Sequence, residues 1–151
     1  MQNPDPKTAG QYQTLLILWF AFVASQFFFL ILIYFTKPAL FHLDVTKPLL
    51  GSSPILVGVI AAASLFCLYG SITLGKKYLN QSVEKQSFLL LQTGLIISYA
   101  LCEAVFLYGV FLAFAIDYQY FFVFLGVGIL GTLLNFPRRR DIESANFKKL
   151  S

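Results

Sequence analysis

Apolar residues fill this chain in four long runs that short polar segments separate. The runs cover about residues 14–35, 55–74, 88–115 and 121–136. An α-helix rises 1.5 Å per residue, so about 20 apolar residues cross the hydrocarbon core of a bilayer. The pattern therefore predicts an all-α integral membrane protein with four transmembrane helices, arranged as antiparallel hairpins.

The composition supports a membrane protein. Of the 151 residues, 58% are hydrophobic and only 12% are charged, whereas a soluble domain carries about 25% charged residues. This composition excludes a soluble enzyme. The formal net charge is +4. Because the basic residues border the apolar runs, they indicate how the spans are oriented in the membrane, and they are not a sign of nucleic-acid binding.

The polar ends and loops predict the domain organisation and the orientation. Residues 1–13 form a polar lead, 14–136 a four-helix membrane domain and 137–151 a basic tail. The segment 75–87 carries three lysines, and the tail carries three arginines and two lysines. Because cytoplasmic loops of membrane proteins are enriched in lysine and arginine, we expect both termini and the 75–87 loop in the cytoplasm.

One ionisable side chain, Glu103, lies near the middle of the third apolar run, and no other acidic or basic residue falls in any of the four runs. A charge at the bilayer centre costs roughly 2.5–3.5 kcal/mol even on the lenient insertion scale. Desolvation disfavours the charged form of a carboxyl group, so a carboxyl in hydrocarbon is expected to be protonated or ion-paired. Glu103 is therefore a candidate site for a transported proton or sodium ion, with a purely structural hydrogen-bonding role as the alternative.

The sequence from Glu103 to Gly109, EAVFLYG, resembles the ion-binding helix of the c subunit of rotary ATPases, the proteolipid of F-type and V-type enzymes. In that family a carboxylate precedes alanine, three mostly apolar residues, tyrosine and glycine. The resemblance covers roughly residues 55–115. It implies that Glu103 binds the transported H⁺ or Na⁺, that Tyr108 supports the site, and that copies pack in a ring against a stator subunit carrying an arginine.

Three further side chains in the other runs are candidates for the surroundings of this site: Gln26, Ser64 and Cys67. The chain has one histidine and two cysteines, both cysteines inside apolar runs, so no metal site is expected. No cofactor is expected beyond the transported H⁺ or Na⁺. The expected partners are membrane lipid and either further copies of the chain or other membrane subunits.

Two alternative functions stay open at the level of the sequence. In one, the protein is a structural or assembly subunit in which Glu103 only fixes helix contacts. In the other, it is a small proton-coupled exporter, since such carriers also use four spans and one membrane glutamate.

Overall fold

The computed structural model describes residues 6–42, 44 and 46–146, and every regular element in that part of the chain is helical. The prediction of an all-α protein is therefore confirmed. Within the described residues, the elements are five α-helices and one short 3-10 helix at Pro38–Phe41. The α-helices are α1 (Pro6–Thr36), α2 (Pro54–Glu84), α3 (Phe88–Ile116), α4 (Phe121–Leu134) and α5 (Arg139–Asn146).

Among the described residues, three helices are long and apolar enough to cross a membrane, namely α1 from Thr8 onward, α2 and α3. The number rises to four if α4 and α5, which are bent by 49° at the break between them, form one broken span. These helices are compatible with an integral membrane protein.

Two polar segments of the chain are more helical than the sequence predicted. The lead expected over residues 1–13 is helical from Pro6 onward, and residues 1–5 lie outside the described part of the chain. The loop expected over 75–87 is helical as far as Glu84. Packing explains the second difference, because Ser82 is fully buried and Leu79 packs against the apolar cluster of Leu15 and its neighbours. Tertiary contacts thus extend α2 beyond its apolar run.

Helix α3 lies at the centre of the bundle and packs on α1, α2, α4 and α5. Its contact with α4 is close, because glycine lets the two backbones meet. A Cβ added at Gly128 would lie 2.7 Å from Phe106 Cβ and 2.9 Å from the carbonyl oxygen of Cys102. Small residues at a helix interface allow such close dispersion contacts in membranes.

The basic tail predicted for residues 137–151 contains helix α5, which docks on the end of the bundle. Its Ile142 and Ala145 are fully buried in one apolar cluster with Leu15 and Leu91. Asn146 Nδ2 donates a hydrogen bond to Gln11 Oε1 at 2.6 Å. These contacts connect α5 to the start of α1. Residues 147–151 lie outside the described part of the chain.

At the opposite end of the bundle, the long connection between α1 and α2 is held against the turn between α3 and α4. Lys37 forms an ion pair with Asp117. Tyr118 donates its hydroxyl to the carbonyl of Leu49 at 2.7 Å, and Gln119 donates to the carbonyl of His42 at 3.2 Å. These contacts close the bundle at the end remote from α5.

Candidate ion site around Glu103

Glu103 lies on the outward face of α3. The exposed residues of α3 around it recur every three or four positions, which places them on one helix face. This series includes Ile96, Ala100, Leu107, Phe111 and Phe114. Position 103 falls in the same series, and its side chain is half-buried. The carboxyl group is therefore at the edge of the core, accessible from the surface that would face lipid or a neighbouring subunit.

The carboxyl group of Glu103 receives a hydrogen bond from α1. Ser25 Oγ donates to Glu103 Oε1 at 2.7 Å, and both side chains are partly buried. Across the described residues, Lys37 and Asp117 form the sole ion pair, so no cationic side chain neutralises Glu103 there. The same part of the chain holds no cluster of three or more metal-ligating His, Cys, Asp or Glu side chains.

Gln26, the residue after Ser25, faces α4 and not Glu103. Successive residues of a helix are about 100° apart, so neighbouring side chains point to different partners. Gln26 is fully buried, and its Nε2 donates to Thr132 Oγ1 at 2.9 Å. Trp19 Nε1 donates to the carbonyl oxygen of Thr132 at 3.0 Å. These two contacts bind α1 to α4 beside the candidate site.

The other predicted site residues make contacts of their own. Tyr108 follows Glu103 by five positions, which turns it about 140° around the helix, and it packs against the apolar cluster of Phe106 and Val110. Ser64 Oγ donates to the carbonyl of its own helix at Ile60, at 2.8 Å. Cys67 is a half-buried free thiol on α2. Within the described part of the chain, none of the three forms a hydrogen bond with Glu103.

Sequence reasoning missed Ser25, the residue that contacts Glu103. Serine is common in membrane helices, and its hydroxyl is often satisfied by a carbonyl of its own helix. The signal that could have found it was the pair Ser25–Gln26, the two adjacent polar side chains near the middle of the first apolar run.

A second group of polar side chains joins α2, α3 and the C-terminal end of α4. Ser98 Oγ donates to the carbonyl of Ser71 at 3.1 Å, and Ser71 Oγ lies 3.4 Å from Cys102 Sγ. Tyr99 donates its hydroxyl to the carbonyl of Asn135 at 3.0 Å. These groups satisfy one another or the helix backbones, as buried polar groups must in a low-dielectric interior.

Comparison of the chain with protein-family models, with curated proteins and with solved structures finds no match. The likeness to rotary ATPase c subunits therefore rests on the pattern from Glu103 to Gly109.

Chemically, the site offers one carboxyl group, one hydroxyl group and an outward-facing position. Such a site can take up a proton or a small cation and release it when its surroundings change.

Proposed function

We propose that the protein binds and translocates H⁺ or Na⁺ at Glu103, as a membrane subunit like the c-type proteolipids within an oligomeric complex. The observation that supports this proposal is the state of the Glu103 carboxyl group. It is half-buried on the outward face of α3, it accepts one hydrogen bond from Ser25, and it has no ion-pair partner among the described residues.

The physical argument follows from the cost of a charge in hydrocarbon. A carboxylate that faces lipid without a cation is costly, and binding of H⁺ or Na⁺ removes most of that cost. When a water-filled path or a cationic side chain of another subunit reaches the same face, the charged form becomes favourable. Alternation between these two surroundings moves the ion. The outward position of Glu103 makes such an exchange of surroundings possible.

The proposed arrangement has four spans in antiparallel hairpins, with the apolar run 121–136, which contains α4, as the fourth. The glycine contacts between α3 and α4 support antiparallel packing. Gly109 lies against Phe121 near the start of α4, whereas Gly128, further along α4, lies against Phe106 and Cys102, earlier in α3. The basic residues at 75–87 and 138–140 favour both termini in the cytoplasm.

A structural role for Glu103 is the second candidate, and one observation favours it. The hydrogen bond from Ser25 connects α1 to α3, and polar contacts between membrane helices stabilise by roughly 1 kcal/mol. In this account the carboxyl group only fixes the position of α1, and the protein is a non-transporting assembly subunit. A glutamine at position 103 would then serve equally well, because its side-chain oxygen accepts the same hydrogen bond.

The two candidates are separated by purifying the full chain with its membrane partners, reconstituting the complex in liposomes and measuring H⁺ and Na⁺ flux. For Glu103→Gln we expect loss of flux with the same partners retained, since the amide keeps the hydrogen bond but cannot bind a proton. A matched Ser64→Ala variant should keep both flux and partners. Undiminished flux in Glu103→Gln would exclude the ion-transport proposal and leave the structural role.

A further inference from the structure

A cavity of about 620 Å³ opens between α2, α3 and α4, away from the hydrogen bond of Glu103. Its volume lies in the range of about 300–1,000 Å³ that is typical of small-molecule sites. Three apolar side chains that line it are strongly exposed: Ile72 (56%), Leu130 (59%) and Leu134 (81%). The cavity is therefore an apolar cleft that opens to the outside of the bundle.

The end of this cavity that lies towards α5 is basic. Lys76 of α2, together with Arg138 and Arg140 beside the start of α5, lines the cavity there. Among the described residues that line the cavity, Asp141 is the single acidic one. In the part of the chain that the structure describes, none of the three cations forms an ion pair. One end thus attracts anions while the rest accepts an apolar chain.

This combination matches one class of molecule. We propose that the cavity binds an anionic phospholipid, with its headgroup phosphate on Lys76, Arg138 and Arg140 and one acyl chain between α2 and α4. Basic pockets between membrane helices recognise anionic lipid headgroups in this way. Arginine suits the phosphate because its guanidinium group donates two parallel hydrogen bonds. A free phosphate ion would use the basic end alone and leave the exposed leucines and Ile72 uncovered.

The proposal does not depend on ion transport at Glu103; it requires only that the bundle lies in a membrane. The full chain is purified in a neutral detergent, and its binding of phosphatidylglycerol and of phosphatidylcholine is measured by native mass spectrometry. Phosphatidylglycerol is expected to bind more tightly. Glu103→Gln should bind it as the unmodified protein does, so a failure of the ion-transport proposal leaves this result unaffected.

Two double variants with equal loss of charge test the location of the site. Lys76→Gln/Arg138→Gln removes two cations from the cavity, whereas Lys77→Gln/Arg139→Gln removes the adjacent pair, which does not line it. Each basic group near an anionic lipid is worth about fivefold in affinity, so the first variant should bind phosphatidylglycerol about 25-fold more weakly. The second variant should bind it as the unmodified protein does.

Four results would overturn the proposal. Equal binding of the two lipids would show that the basic end does not select the headgroup. An equal effect of the two double variants would show only general attraction between the cations and the lipid. If inorganic phosphate displaced more lipid than sodium chloride does at the same ionic strength, that result would show that the site binds a free anion. If Leu134→Trp, which narrows the apolar part, left lipid binding unchanged, no acyl chain would occupy the cleft.

Discussion

Ser25 Oγ donates a hydrogen bond to Glu103 Oε1 at 2.7 Å, joining α1 to the outward face of α3. This contact places the carboxyl group between a polar partner on one side and the bundle surface on the other. The first prediction concerns its strength. Ser25→Ala should lower the free energy of unfolding by about 0.6–1.7 kcal/mol, the range for polar contacts between membrane helices.

Equilibrium unfolding in mixed micelles measures this change for Ser25→Ala. Ser25→Thr is the matched control, because it keeps the hydroxyl group and should keep most of the stability. A loss in Ser25→Thr as large as that in Ser25→Ala would show that the hydrogen bond is not the cause.

The second prediction concerns the buried pair Gln26 and Thr132. Thr132→Val keeps the shape of the side chain but leaves Gln26 Nε2 without its acceptor at a fully buried position. We expect the free energy of unfolding to fall by about 1–2 kcal/mol, because an unsatisfied polar group in the interior bears its full desolvation cost. The variant Gln26→Met/Thr132→Val removes both partners and should regain most of that loss. If the losses in free energy of unfolding caused by Gln26→Met and by Thr132→Val simply add up in the double variant, the two side chains do not interact, and the contact is contradicted.

The third prediction concerns the close approach of α3 and α4. A Cβ at Gly128 would lie 2.9 Å from the backbone atoms Phe106 N and Cys102 O, which cannot move as a side chain does. Gly128→Ala should therefore destabilise the protein by about 1–3 kcal/mol through overpacking. A Cβ added at Gly126, on the same helix, would meet no neighbouring atom of the described residues within 4 Å, so Gly126→Ala should leave the melting temperature in detergent unchanged. Equal melting temperatures for Gly128→Ala and Gly126→Ala would contradict the close packing of α4 on α3 at Gly128.

The fourth prediction concerns the docking of α5. Ile142 is fully buried against Leu15 and Leu91, and truncation of such a side chain lowers the free energy of unfolding by about 2–5 kcal/mol. Since α5 has only eight residues, the lost packing should release the helix from the bundle. Hydrogen exchange of the amides in 139–146 should become faster in Ile142→Ala and stay unchanged in Glu143→Ala, whose side chain is exposed. Unchanged exchange in Ile142→Ala would show that α5 is held by other contacts.

The helices and the position of Glu103 follow from the sequence because both depend on local composition. Long apolar runs predict α1, α2 and α3, and a lone carboxylate among apolar residues is visible without any structure. By contrast, no simple pattern of residues in the sequence gives the orientation of each helix about its own axis. Lipid-facing and core-facing positions of a membrane helix are both apolar, so periodicity does not reveal which face of α1 meets α3.

The same limit explains two features that the sequence did not predict, the partner of Glu103 and the docking of α5. Gln26, the more polar residue of the pair, is one of three candidates that the sequence offers for the surroundings of the site, but helix geometry turns it towards Thr132 and leaves Ser25 to meet Glu103. Helix α5 is short and polar, and its docking depends on Ile142 and Ala145 meeting Leu15 and Leu91 from distant parts of the chain. Contacts of that sequence separation cannot be inferred from one sequence.

The central claim is that Glu103 binds an ion while its carboxyl group faces the outside of the bundle. The most direct test is labelling with a hydrophobic carbodiimide in membranes, with and without sodium, followed by mass spectrometry of the peptides. We expect selective modification at Glu103, none in Glu103→Gln, and protection by sodium if Na⁺ is the bound ion. Modification of loop carboxylates such as Asp117 with none at Glu103 would contradict the account and leave Glu103 as a structural residue.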